Sequence, residues 1–143
     1  MDRLIFERLR DLTGKEIRGD IRFVSREALR PFLTAEIAIE NDENYGLRLS
    51  MRFNTDDYSK TFNVHAPGVG PICRLDVDGH NHPPSGRQHK HGVVTDRCTD
   101  NNLPTANPRP DLAGKSMREC FVEFCRMAQI HHVGQFFAPD EGI

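Results

Sequence analysis

Residues 33–53 read LTAEIAIENDENYGLRLSMRF, and this stretch decides the fold class. Leu33, Ala35, Ile37 and Ile39 alternate with Thr34, Glu36, Ala38 and Glu40. Tyr45, Leu47, Leu49, Met51 and Phe53 then alternate with Gly46, Arg48, Ser50 and Arg52. Successive side chains on a strand point to opposite faces, so a period of two predicts strands with one buried face and one solvated or functional face. That is the pattern of an antiparallel sheet. The connection Asn41-Asp42-Glu43-Asn44 is short and polar, as a hairpin needs.

Working outward, residues 17–24 predict a first strand, weakened by Gly19. Residues 60–65 (KTFNVH) and 71–78 (PICRLDVD) predict two more, separated by Ala66-Pro67-Gly68-Val69-Gly70. Residues 88–95 (QHKHGVVT) predict a hairpin partner for the second of these. Residues 2–12 carry a helical stripe of Ile5, Leu9 and Leu12 that Gly14 ends. A second helix is predicted over 116–130, where Ser116-Met117-Arg118-Glu119 matches a capping box and Met117, Cys120, Phe121, Phe124 and Ala128 form an apolar stripe. Residues 96–111, rich in Asn, Asp and Pro, predict a long loop. The expected fold is α+β over a single domain, residues 1–143. An antiparallel sheet of five or six strands has the N-terminal and C-terminal helices packed on one face.

The bulk composition bounds the function. A chain of 143 residues is long enough for one domain with a real core, and its 37% hydrophobic and 28% charged residues imply much solvated surface. A formal charge of −2 excludes a globally basic nucleic-acid binder but leaves a local basic patch open. The first residues, MDRLIFERLRDLTGK, do not read as a signal peptide, and no apolar run approaches the length of a membrane span. Cys73, Cys98, Cys120 and Cys125 form no Cys-x-x-Cys pair, so reduced thiols and a cytoplasmic location are expected.

The chemistry concentrates in residues 76–91, DVDGHNHPPSGRQHKH, which hold four of the seven histidines. A turn centred on Pro84-Ser85 places His80 opposite His89 and Asp78 opposite His91. The same register puts Leu75, Val77 and Val94 on the core side. Arg74, Asp76, Asp78, His80, His89 and His91 then share the other face, and His65, ending a neighbouring strand, borders it. Three readings stay open. In the first, His80, His89, His91 and Asp78 hold a divalent metal, zinc or manganese. In the second, His89, His91 and His80 supply acid–base chemistry on a phosphodiester with Asp76 in support, while Arg74, with Arg48 and Arg52, holds the phosphate. In the third, the face is a solvated polar surface, with Arg48 and Arg52 in cross-strand ion pairs with Glu36 and Glu40. His131 and His132 read as cations at the carbonyl end of the last helix.

The stretch PICRLDVDGHNHPPSGRQHKHGVV, followed by a polar segment and a helix carrying FVEFCRMAQI, resembles a group of small prokaryotic proteins. In these, an Arg-hydrophobic-Asp/Asn strand leads through a histidine and a polar loop to a His-x-His strand. It is also similar to the TumE-like toxins of bacterial toxin–antitoxin modules. The matching residues are Arg74, Asp76, His80 or His82, His89 and His91, with Phe121 and Phe124 in the helix. Leu75 stands where an aromatic residue is frequent, and Gln88 where Pro, Phe or His is usual. The resemblance implies a phage, mobile-element or toxin–antitoxin setting and carries no reaction with it.

Two functions are expected from this reading. One is a small toxin-like hydrolase acting on RNA or a nucleotide through the histidine/aspartate cluster. The other is a non-enzymatic inhibitor or antitoxin-type protein, whose polar sheet face or 96–111 loop docks on a cognate protein partner. Whether the chain is an enzyme is left open between them.

Overall fold

The computed structural model describes residues 3–77 and 109–141. Helix α1 spans Arg3–Asp11 and is followed by the short strands β1 (Lys15–Arg18), β2 (Ile21–Arg22) and β3 (Val24–Ser25). A meander follows: β4 (Phe32–Ala38), β5 (Arg48–Asn54), β6 (Lys60–Ala66) and β7 (Gly70–Val77). Helix α2 (Met117–Ala128) and strands β8 (Ile130–Val133) and β9 (Phe136–Phe137) complete the described chain.

Strands β3 to β7 form one five-stranded sheet in sequence order, antiparallel throughout. The alternation in residues 33–53 emerges as read. Leu49, Met51 and Phe53 are buried, while Arg48 and Arg52 are exposed. Asn41 closes the first hairpin with its amide. Its Nδ2 donates to the Tyr45 carbonyl at 2.9 Å, and its Oδ1 accepts from the Tyr45 amide at 3.0 Å. The core face carries Met51, Phe62 and Leu75 in one cross-strand row and Leu49, Val64 and Cys73 in the next. Helix α2 lays Met117, Cys120, Phe121 and Phe124 on this face, with Phe124 stacked on Phe62 at 5.3 Å between centroids. Phe6 and Leu9 of α1 join the same core. The architecture is therefore α+β, with helices from both ends of the described chain on an antiparallel sheet.

Three features depart from the sequence reading. The segment expected as one strand over 17–24 is broken at Gly19 into β1 and β2, and these pair in parallel with β8 and β9. Lys15 lies opposite Ile130 and Ile21 opposite Phe136, so the partner offset is the same on both sides of the break. His131 and His132 accordingly lie in β8 and do not cap α2. The αL residue Gln129 closes the helix and lets the chain turn directly into a strand. The third departure is redox. Cys120 and Cys125 are buried thiols outside any disulfide, but Cys73 is disulfide-bonded, which corrects the expectation of reduced thiols at that position. Spacing along the chain tests only local pairs, whereas a disulfide needs proximity in space. Among the described residues, no helix is long and apolar enough to cross a membrane.

The predicted hairpin partner over 88–95 lies outside the described residues, as does the 96–111 loop up to residue 108. The end of that loop is packed: Arg109 is buried, and a 3-10 turn covers Pro110–Leu112.

Candidate functional site on the open sheet face

The face of the sheet opposite the helices is built from alternate residues of β4 to β7. Its register groups them into three cross-strand rows. Thr34, Arg52, Thr61 and Asp76 form one, and Glu36, Ser50, Asn63 and Arg74 the next. Ala38, Arg48, His65 and Pro71 form the third, where a bulge at Val64/His65 shifts the β6–β7 register. Directly paired residues have Cβ atoms about 4.5–5.5 Å apart, so Ser50, Asn63 and Arg74 are successive neighbours.

The structure brings Arg74 and Asp76 together as the alternation requires. Arg74 Nε lies 3.7 Å from Asp76 Oδ1, an ion-pair distance too long for a hydrogen bond. Six side-chain polar atoms among the described residues are buried without a hydrogen-bond partner, and three belong to this cluster: Asn63 Oδ1, Arg74 Nε and Asp76 Oδ1. Buried polar atoms are satisfied in the great majority of cases, and here one arginine donor and two acceptor oxygens without hydrogen-bond partners fall on adjacent positions. The other three sit on Glu16, Arg109 and Asp140: Glu16 Oε1 lies 2.6 Å from Arg18 Nε, and the other two side chains are hydrogen-bonded through different atoms.

His65 is held on the same face. Its Nε2 lies 3.1 Å from the hydroxyl of Ser50, and both side chains are half-buried. Ser50 and Asn63 were not among the residues singled out from sequence. Their signal was present, because Ser50 falls between Arg48 and Arg52 in the alternation, but only the β5–β6 register shows that it meets His65.

The remaining predicted residues are placed as follows. Arg48 pairs with Glu36 at 2.7 Å, the cross-strand ion pair expected by default. Arg52 instead stands over the Phe32 ring at 5.4 Å, and Glu40 pairs with Arg18 of β1 at 3.0 Å. Asp78, His80, His82, His89 and His91 lie outside the described residues, so the predicted metal set and the His80–His89 register stand as expectations. Among the described residues there is no group of three His, Cys, Asp or Glu side chains arranged to hold a metal.

A second concavity, of about 680 Å³, lies between α2 and the β8–β9 segment. Phe121 and Phe136 stack at 4.2 Å in its wall, and the half-exposed Arg118 at its rim is engaged by both carboxylate oxygens of Glu141. Its other arginine, Arg126, pairs with Glu123. The cavity thus has a mixed polar and apolar lining, with both of its arginines already paired.

No family model, no curated protein and no solved structure matches this chain, so its relationship rests on the residues themselves.

Proposed function

We propose that the open sheet face is a site for a phosphate-bearing ligand, RNA or a nucleotide, and that the protein is a small toxin-like hydrolase acting there. The observation that carries this reading is the Arg74 guanidinium, opposite Asn63 in the register and next to Asp76, whose Nε has no hydrogen-bond partner among the described residues, on the same face as His65. A half-buried guanidinium held only by a 3.7 Å ion pair with Asp76 is suited to a phosphate oxygen, which it binds through charge-assisted hydrogen bonds. Histidine supplies proton transfer near neutral pH without special tuning. His89, His91 and His80, with Asp78, extend the same reading as acid–base groups or as ligands of a zinc or manganese ion. A cytoplasmic setting belongs to it as well, although the disulfide at Cys73 runs against a reducing compartment.

The test is binding and cleavage of a short single-stranded RNA by the purified protein. Arg74→Ala is expected to weaken binding at least about tenfold, the loss of roughly one charge-assisted contact. His65→Ala and the pair His89→Ala/His91→Ala are expected to retain binding and lose cleavage. RNA or nucleotide affinity that is absent, or unchanged in Arg74→Ala, overturns the proposal. Chelation and elemental analysis of the same preparation decide whether the chemistry uses a metal.

One observation favours the second reading, a non-enzymatic inhibitor or antitoxin-type binding protein. Arg48 is paired with Glu36, Arg74 with Asp76, and Arg52 is laid over Phe32, so all three arginines of the face are already engaged. Such a mixed, balanced surface suits a protein partner. Under this reading Arg74→Ala abolishes capture of a cognate protein while RNA cleavage is absent from the wild type.

A further inference from the structure

We propose that Ser50 is a nucleophile and His65 its general base, which makes the open face a covalent site for phosphate esters. This rests on the phosphate-site reading above and specifies its reaction. The Ser50 hydroxyl and His65 Nε2 are 3.1 Å apart, within the reach that proton abstraction requires. When the neutral ring carries its proton on Nδ1, Nε2 accepts from the hydroxyl, which is the tautomer a base needs. The register fixes both partners on rigid elements, Ser50 in mid-β5 and His65 on β6 at the bulge. Beyond Ser50 in the same row come Asn63 and then Arg74, whose Nε lacks a hydrogen-bond partner among the described residues. Three adjacent strands, β5 to β7, thus offer nucleophile, base and a cationic donor in one continuous patch.

The step balances without a further reagent. Ser50 Oγ attacks phosphorus as its proton passes to His65 Nε2. The new Oγ–P bond forms as the P–O bond to the leaving group breaks. His65 returns the proton to the departing oxygen, and Arg74 offsets the charge on the phosphoryl oxygens. A water molecule, deprotonated by the same imidazole, then cleaves the Oγ–P bond and restores the hydroxyl.

Two measurements test this. An alkyl fluorophosphonate, whose fluoride is displaced by an activated serine, is incubated with the full chain and the adduct located by mass spectrometry. Labelling is expected at Ser50, absent in Ser50→Ala, and reduced at least about tenfold in His65→Ala. Because either variant can disturb the sheet, the second measurement uses Ser50→Cys and its rate of alkylation by iodoacetamide against pH. A free thiol titrates near about 8.5, and a neighbouring imidazolium lowers that value. The midpoint is expected to fall by at least about one pH unit in Ser50→Cys and to return when His65→Ala is added. No adduct at Ser50 together with an alkylation midpoint indifferent to His65 overturns the dyad. If Arg74-dependent RNA binding persists in that case, the phosphate-site reading survives without it; if that binding is also missing, both fall.

Discussion

Lys15 shows how a single residue couples burial to pH. Its side chain is 1% exposed, and its ammonium donates to the carbonyls of Leu9 and Arg10, both at 3.2 Å. A cation there satisfies the end of α1 and suits the negative end of its dipole. Burial nevertheless lowers the pKa from 10.5 to about 8, against a smaller opposing effect of Asp11. Between those two values the unfolded chain holds a proton that the folded chain has released, so stability rises with pH across that window. Denaturant titrations from pH 7 to 10.5 are expected to show this rise in the wild type and its loss in Lys15→Met, with a difference of at most about 3 kcal/mol. A second residue, Gly134, is fixed by contact. Its φ is +136°, and an added Cβ would lie 2.4 Å from the Gly19 carbonyl oxygen. Gly68, at φ +75°, has nothing within 4 Å of its Cβ direction. Gly68→Ala is expected to cost about 1 kcal/mol, the price of the left-handed backbone alone, and Gly134→Ala clearly more. Equal melting temperatures for the two variants would contradict this.

At the scale of elements, α2 was readable because its start is local. The Ser116 hydroxyl accepts from the Glu119 amide at 3.1 Å, and Glu119 Oε1 accepts from the Ser116 amide at 3.3 Å. A distant residue adds to this cap: Asp140 Oδ2 accepts from the Met117 amide at 2.9 Å. Ser116→Ala is expected to cost about 1 kcal/mol in urea unfolding, and the fast amide exchange it produces should be confined to the first turn of α2. The strands after the helix were not readable in the same way. Ile130–Val133 and Phe136–Phe137 are short, and their partners in β1 and β2 lie more than a hundred residues earlier, so no local turn signal announces the pairing. His132 illustrates the consequence. It sits at a helix end in sequence, yet its ring bonds the Gly19 carbonyl at 2.8 Å and meets Phe121 edge-on.

At the scale of the whole molecule, what alternation reveals is faces, and what it hides is which residues meet across strands. The open face, with Arg74 and Asp76 on it, followed from a period of two, whereas the Ser50–His65 contact needed the register of β5 on β6. Long-range ion pairs are equally invisible, and one of them joins the segment entering α2 to the helix itself. Arg109, 7% exposed, pairs with Asp111 at 2.7 Å and with Glu123 at 3.0 Å. Arg109 holds the Asp111 carboxyl below its usual range, and Arg126 with Arg109 does the same for Glu123. Both carboxylates therefore contribute stability that is complete above their ordinary values of 3.8 and 4.5 and is lost as pH falls through the lower, folded values. Arg109→Met keeps most of the stem's packing and removes the charge. Asp111 is largely exposed and screened, so the variant is expected to be less stable by only about 1–2 kcal/mol at pH 7. That gap should narrow as pH drops below 4.5, because acid removes from the wild type the same carboxylate interactions that the mutation removes at neutral pH. Glu123 keeps Arg126 in the variant, so part of the acid sensitivity remains. Denaturation curves at pH 7, 5 and 3 measure the gap directly, and one that stays constant would assign the role of Arg109 to packing of its stem instead of to its charge.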